Sequence, residues 1–196
     1  MRKSALVLLT VLGACATPRA SQDEAIVCGQ DDEAAVWQSA LVAEAAHSAY
    51  QKDIILESPT KLGLLHPAAR EITEPFRGRD VEIPEQLVAQ FLAANQYSVD
   101  LTKVCKSNRR FRTITSAEAK AAFLGSDPEA RWAAFYKKHN HAAGLFALSR
   151  AGFYRDLALV HIEYGCGGEC GHGHLFLLRR TGGIWILQAQ AVTWLS

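Results

Sequence analysis

The sequence predicts an α+β domain in which N-terminal helices pack on a C-terminal four-stranded antiparallel meander. Three observations lead to this fold class. Apolar residues recur at helical spacing before residue 145 and follow the patterns of strands after it. The late strands are joined by connections too short for a crossover, so neighbouring strands must run antiparallel. Helices first and strands second are typical of a sheet with one helix-covered face.

Helix signals occupy the first half of the chain. Asp31 and Asp32 offer an N-cap to a helix over residues 34–50, whose apolar side chains form one broad face. Pro84 opens a second helix, which ends near Asn95. Shorter elements are predicted as a buried strand at 54–56, a helical turn near 68–73, a strand at 111–114, and two helices that start at Ser116 and Asp127.

Strand signals fill the last quarter of the chain. The four predicted strands run from Leu145 to Tyr154, from Leu157 to Tyr164, from Leu175 to Arg180 and from Ile184 to Trp194. Thr181-Gly182-Gly183 predicts a tight turn between the last two of them.

Residues 1–15 have the pattern of a lipoprotein signal peptide. Arg2 and Lys3 precede an apolar run shorter than the roughly 20 residues that span a bilayer. The run closes with Leu12-Gly13-Ala14-Cys15, which resembles the bacterial lipobox. We therefore predict a membrane anchor at Cys15 made of acyl chains such as palmitate. Ordinary cleavage after Ala14-Cys15-Ala16, an A-x-A site, is the alternative, and it would release a secreted or periplasmic protein.

The predicted location is the bacterial cell envelope. Because Ala16 rather than Asp follows the lipobox cysteine, the resemblance implies the outer membrane, with the protein facing the periplasm.

Residues 16–26 predict a short tether and residues 27–196 a single domain. Loss of residues 1–15 leaves 19 basic and 20 acidic residues, so charge gives no argument for nucleic acid. The expected partners are the membrane, through the lipid, and a protein or small molecule near it.

Four cysteines follow the lipobox, and an even count in an exported protein predicts disulfide bonds. Three pairings are possible. We favour the local pair Cys166–Cys170 together with the distant pair Cys28–Cys105.

The segment from Cys166 to His174 concentrates two thiols, two imidazoles and a carboxylate between two apolar runs. A hairpin centred on Gly168 would place Cys166 opposite Cys170, at a separation that a disulfide accepts. The same register pairs Tyr164 with His172, Ile162 with His174, and Val160 with Phe176. The segment therefore predicts a disulfide-closed turn.

A metal site is the alternative interpretation of this segment. His172 and His174 are two residues apart on a strand, so they share one face and could chelate an ion as a pair. Cys170 and His174 lie roughly 13 Å apart along an extended strand, too far to ligate the same zinc. A third ligand would come from His139 or His141. Zinc or copper is the ion expected in this alternative, whereas the disulfide interpretation needs no cofactor.

No catalytic motif of a serine hydrolase, zinc protease or P-loop enzyme is present in the sequence. Cys166 or Cys170 with His172 would make a Cys/His pair, but a hairpin lacks the helix N-terminus that activates such a thiol, and a disulfide would consume it. No catalytic residue is therefore assigned. The sequence predicts a non-enzymatic binding or structural module.

The C-terminal residues resemble a group of exported bacterial proteins with an L-S-R-x-G-F and C-G-x-x-C-G-x-G pattern. The residues that carry the resemblance are Leu148-Ser149-Arg150-Ala151-Gly152-Phe153, Ala158-Leu159-Val160, Cys166-Gly167-Gly168-Glu169-Cys170-Gly171 and Trp185. The resemblance covers about half of the chain after the signal. It implies export and fold but no activity. The chain departs from the pattern at Tyr154, His172 and His174, so the resemblance gives no support to a metal site.

Overall fold

The computed structural model describes residues 27–29, 31–47, 52–65, 68–108 and 111–196. The predicted signal peptide 1–15, the lipidation site Cys15 and the tether 16–26 lie outside the described residues. Within the described residues, no helix has both the length and the apolar character needed to cross a membrane.

A seven-stranded mixed sheet forms the centre of the domain. The described residues contain nine strands in all, seven of them in this sheet: β1 (Val27–Cys28), β2 (Asp53–Ser58), β3 (Cys105–Lys106), β4 (Phe111–Thr115), β5 (Ala142–Leu148), β6 (Gly152–Tyr154), β7 (Leu157–Gly167), β8 (Cys170–Thr181) and β9 (Ile184–Leu195). The main sheet has the order β4-β2-β5-β7-β8-β9, with β6 also paired to β7, while β1 and β3 form a separate antiparallel pair. In the main sheet β2 runs parallel to β4 and β5, and the remaining pairs are antiparallel.

The predicted four-stranded antiparallel meander is therefore wrong, although the α+β class is right. The sequence showed strands at 54–56 and 111–114, but their pairing was not predicted. Segments 59–110 and 116–141 act as crossovers, which allow β2, β4 and β5 to lie parallel. The predicted strand from Leu145 to Tyr154 is also divided into β5 and β6.

Helices cover both faces of the sheet, so the expectation of a single helix-covered face is wrong. Their bounds are α1 (Asp32–His47), α2 (Ala69–Thr73), α3 (Glu85–Ala94), α4 (Leu101–Val104), α5 (Ser116–Ala122) and α6 (Pro128–Lys138), with a 3₁₀ turn at Glu74–Phe76. On one face α1 buries Trp37 and Leu41 against Phe146 and Phe176 of the sheet. On the other face α3 packs over β7 to β9, while α5 and α6 pack over β2, β4 and β5.

Local capping explains where two of the helices begin. Thr115 and Glu118 form a reciprocal capping box at the start of α5, and the side chain of Asp127 accepts a hydrogen bond from Glu129 N at the start of α6. The predicted helix starts at Ser116 and Asp127 are confirmed within one residue.

Both predicted disulfides are present. Cys28 is bonded to Cys105 across the small β1–β3 pair, and this link ties the segment before α1 to the end of α4. Cys166 is bonded to Cys170 across the turn between β7 and β8. The first closes a long loop and the second a short one, so the first restricts the unfolded chain more.

Candidate functional site

The β7–β8 hairpin has the register that the sequence predicts through most of its length. Tyr164 pairs with His172, and Ile162 pairs with His174. A bulge between Gly165 and Gly167 shifts the end of the hairpin, so Gly167 rather than Cys166 pairs with Cys170. The disulfide forms despite this shift.

Strand alternation gives the β8 segment two different faces. His172 and His174 project toward α1, whereas Gly171 and Gly173 lie on the opposite side of the sheet. We call these sides the histidine face and the glycine face.

On the histidine face, Glu44 of α1 contacts both imidazoles. Its Oε1 lies 2.5 Å from Nε2 of His172, and its Oε2 lies 2.8 Å from Nδ1 of His174. The Glu44 side chain is 1% exposed, while those of His172 and His174 are 20% and 13% exposed. One potential ligand atom from each residue falls within 4.8 Å of the others. These three side chains form the Glu44–His172–His174 cluster.

The sequence analysis missed Glu44, although a signal was present. Trp37, Ala40 and Leu41 are buried on the inner face of α1. Glu44 continues that stripe, because it lies seven residues after Trp37 and four and three after the others. An acidic residue in an otherwise apolar helical stripe indicates a buried polar partner.

The cluster keeps the Glu44 carboxylate ionised. Burial of Glu44 opposes ionisation, but the hydrogen bonds and charges of His172 and His174 outweigh it and lower its pKa to about 2. The carboxylate is therefore an anionic group at any neutral pH. Two imidazoles and one carboxylate are the nitrogen and oxygen ligands that zinc and related divalent ions accept.

Aromatic side chains support the two imidazoles from beside the cluster. The Tyr164 ring centroid is 5.1 Å from that of His172, and the Phe176 ring meets His174 edge-on at 6.0 Å. The Tyr164 hydroxyl donates a hydrogen bond to the carbonyl of Ala143 at 2.9 Å, which fixes its ring. The supporting residues thus restrict the orientations of the ligand-type side chains.

The cluster borders the protein surface at His174. A recess of about 520 Å³ is lined by His174 together with Arg79, Gln190 and Val192. Small ions and molecules can therefore reach the cluster from the side of the edge strand β9.

His139 and His141, the predicted sources of a third ligand, lie elsewhere. His139 is buried at the end of α6, with its ring 4.9 Å from that of Phe135. Burial, then the charges of Arg112 and Lys138, lower its pKa. His141 is exposed. The group of metal-ligand type found in the described residues consists of Glu44, His172 and His174, without either of these histidines.

The glycine face has a different composition. The Trp194 indole covers Gly171 and Gly173, and a side chain at Gly173 would overlap Trp194 and Thr193. Trp194 Nε1 donates to Oε1 of Glu163 at 3.1 Å. Nε2 of His161 lies 3.1 Å from the Thr193 hydroxyl. The glycines of the sequence motif therefore make room for an indole rather than merely allowing a turn.

Comparisons with protein-family models, with curated proteins and with solved structures each give no match.

Proposed function

We propose that this protein binds one divalent transition-metal ion of the zinc class through Glu44, His172 and His174. One observation carries the proposal: a carboxylate that is 1% exposed lies within 2.8 Å of two imidazole nitrogens from a neighbouring strand. A metal ion would take the place of the protons that these groups share, with one oxygen and two nitrogens as ligands.

A polar cluster that only stabilises the fold is the competing explanation. Removing a carboxylate from water costs several kcal/mol, and apolar residues of the same size often stabilise a core at least as well. The rest of the inner stripe of α1 is apolar, so an apolar residue at position 44 would suit packing alone. The carboxylate therefore favours a ligand role.

The number and placement of the ligands favour an exchangeable ion. Structural zinc sites are closed by four protein ligands, whereas sites with three keep a position for water or another ligand. The recess beside His174 offers such a ligand an approach to one side of the cluster. The proposed role is the binding of a metal ion that stays accessible to a small ligand.

The proposed setting is the bacterial cell envelope, with the domain held near the membrane by a lipid on Cys15. Support comes from the signal-like pattern of residues 1–15 and from two disulfides, which are typical of oxidising compartments. An exported metal-binding module would meet its ion or partner in that compartment rather than in the cytoplasm.

Metal analysis of protein purified without a histidine tag tests the proposal. We expect about one zinc-class ion per chain and a raised melting temperature on zinc addition, because an ion bound to the folded state stabilises it. His172→Ala, His174→Ala and Glu44→Gln should each weaken zinc binding by more than about 100-fold, since even outer partners of metal ligands are worth 10- to 100-fold.

His141→Ala is the matched control, because it removes an exposed imidazole outside the cluster. It should bind zinc as the unaltered protein does. The proposal is rejected if the unaltered protein gains no stability from zinc, or if His172→Ala and His174→Ala retain full affinity.

A further inference from the structure

A cavity lies on the glycine face, away from the Glu44–His172–His174 cluster. It has a volume of about 730 Å³, within the range of sites for small organic molecules. Gly165, Gly167 and Gly171 of the hairpin line it, together with Trp194 and the segment that contains Glu71 and Glu74. We call it the Trp194 cavity.

The walls of the Trp194 cavity are mainly apolar and partly rigid. Three glycines of the hairpin present backbone rather than side chains to the cavity, and Cys170 lines it beside them. The indole of Trp194 is held by its hydrogen bond to Glu163 and by its contact with Gly171. Leu64 and Leu195 also line the cavity, each with 74% of its surface exposed. A fixed indole and exposed apolar side chains favour a ligand with a flat apolar body.

The charged residues of the cavity have one sign. Glu71 and Glu74 line it, and the lining includes no lysine, arginine or histidine among the described residues. Glu74 forms a surface ion pair with Arg77 at 2.7 Å, whereas Glu71 has no ion pair in the described part of the chain. An indole beside two carboxylates, one of them without an ion pair in the described residues, suits a cation, because both kinds of group attract positive charge.

We propose that the Trp194 cavity binds a small organic cation, an ammonium group carried on an aromatic or similarly flat apolar body. The apolar body packs against Trp194 and the glycines, and the ammonium group faces Glu71 and Glu74. Anionic ligands are disfavoured by the carboxylates, and neutral ligands lose the electrostatic contribution. This site is independent of the proposed metal function, since the two lie on opposite faces of the sheet.

The test uses three probes of similar shape on the purified protein in EDTA: 2-phenylethylammonium, neutral 2-phenylethanol and anionic 3-phenylpropionate. Calorimetry or ligand-observed NMR should give a Kd of about 1 mM or tighter for the ammonium probe. The alcohol should bind about 10-fold more weakly and the carboxylate more weakly still. Added salt should weaken the ammonium probe selectively.

The double variant Glu71→Gln, Glu74→Gln should weaken the ammonium probe by about 5-fold and leave the alcohol unchanged, as expected for two partly solvated charges. Glu85→Gln, an exposed carboxylate outside the cavity, is the control and should change neither. The proposal is overturned if the alcohol binds as tightly as the amine, if the double variant binds the amine normally, or if no amine binding occurs up to about 20 mM.

Discussion

A glutamate lies on each face of the β7–β8 hairpin, and the pKa values of the two are shifted in opposite directions. On the histidine face, Glu44 meets two imidazoles and its pKa is lowered to about 2. On the glycine face, burial raises the pKa of Glu163, and its hydrogen bonds from Leu64 N and Trp194 Nε1 come from neutral donors. Burial also lowers the pKa of His161 to about 4.

The difference shows that pairing, and not burial alone, sets the direction in which the pKa of each glutamate moves. Both glutamates are largely withdrawn from water, and only the one with imidazole partners is strongly stabilised as an anion. His161 and Glu163 share a face two residues apart without a hydrogen bond between them in the described structure. The histidine face therefore stabilises its carboxylate through two imidazoles, whereas the glycine face offers its glutamate two neutral donors.

The largest expected effect is on the glycine face, at Gly173. Gly173→Ala should lower the free energy of unfolding by about 3 kcal/mol, because the added methyl group overlaps the fixed Trp194 ring and Thr193. Urea denaturation measures the change. Gly168→Ala is the matched control, since a side chain there meets no atom within 4 Å. If Gly173→Ala and Gly168→Ala are equally stable, the packing of Trp194 does not require a glycine at position 173.

Acidification should next distinguish the two faces through His161. The pKa of His161 is about 4 in the folded protein and 6.5 ordinarily. The stability that neutral His161 contributes to the folded state is therefore present above pH 6.5 and is lost as the pH falls toward 4. Between pH 7 and 5 the stability advantage over His161→Gln should shrink by about 2 kcal/mol. His141→Gln should keep the pH dependence of the unaltered protein. If the free energy of unfolding depends on pH in the same way in His161→Gln and His141→Gln, a neutral, buried His161 is contradicted.

Glu44→Gln should lower the free energy of unfolding by about 1.5 kcal/mol in EDTA at pH 7, because the variant loses charged hydrogen bonds to both imidazoles. The folded pKa of Glu44 lies below its ordinary value of 4.5, so this contribution is present above pH 4.5 and disappears as the pH falls through about 2. Urea melts from pH 7 to 2.5 measure it. If the stability lost in Glu44→Gln stays the same from pH 7 to pH 2.5, an ionised Glu44 is contradicted.

The smallest effect should come from Tyr164→Phe, which removes the hydrogen bond to Ala143 but keeps the ring beside His172. We expect a loss of about 1 kcal/mol in unfolding free energy. Zinc affinity should remain within about 3-fold, because the ring that restricts the imidazole is retained. A large loss of zinc affinity would instead indicate that the Tyr164 hydroxyl takes part in the proposed metal site.

The sequence was informative about the hairpin because strand geometry is local. Alternation places His172 and His174 on one face, and the register that pairs Tyr164 with His172 follows from counting outward from Gly168. The bulge at Cys166 was not predicted, since an extra residue among glycines leaves no pattern. Disulfide pairing followed from cysteine count and spacing, both of which constrain the chain strongly.

Long-range placement was harder to predict. Strand β2 was recognised, but nothing in its own residues shows that it pairs with β4 and β5 across more than 50 residues. Glu44 was missed for a related reason: its partners lie 128 and 130 residues away. His139 and His141 looked suitable by residue type, whereas the helix packing of α1 brings a carboxylate to the pair instead.

The long sequence separation between Glu44 and its two partners determines when the cluster can form during folding. An unfolded chain would present only the adjacent His172 and His174, while Glu44 would arrive when α1 docks on the finished sheet. Full affinity for an ion would then appear only after the last strands are in place. Under the proposed metal function, retention of zinc would therefore serve as a measure of completed folding.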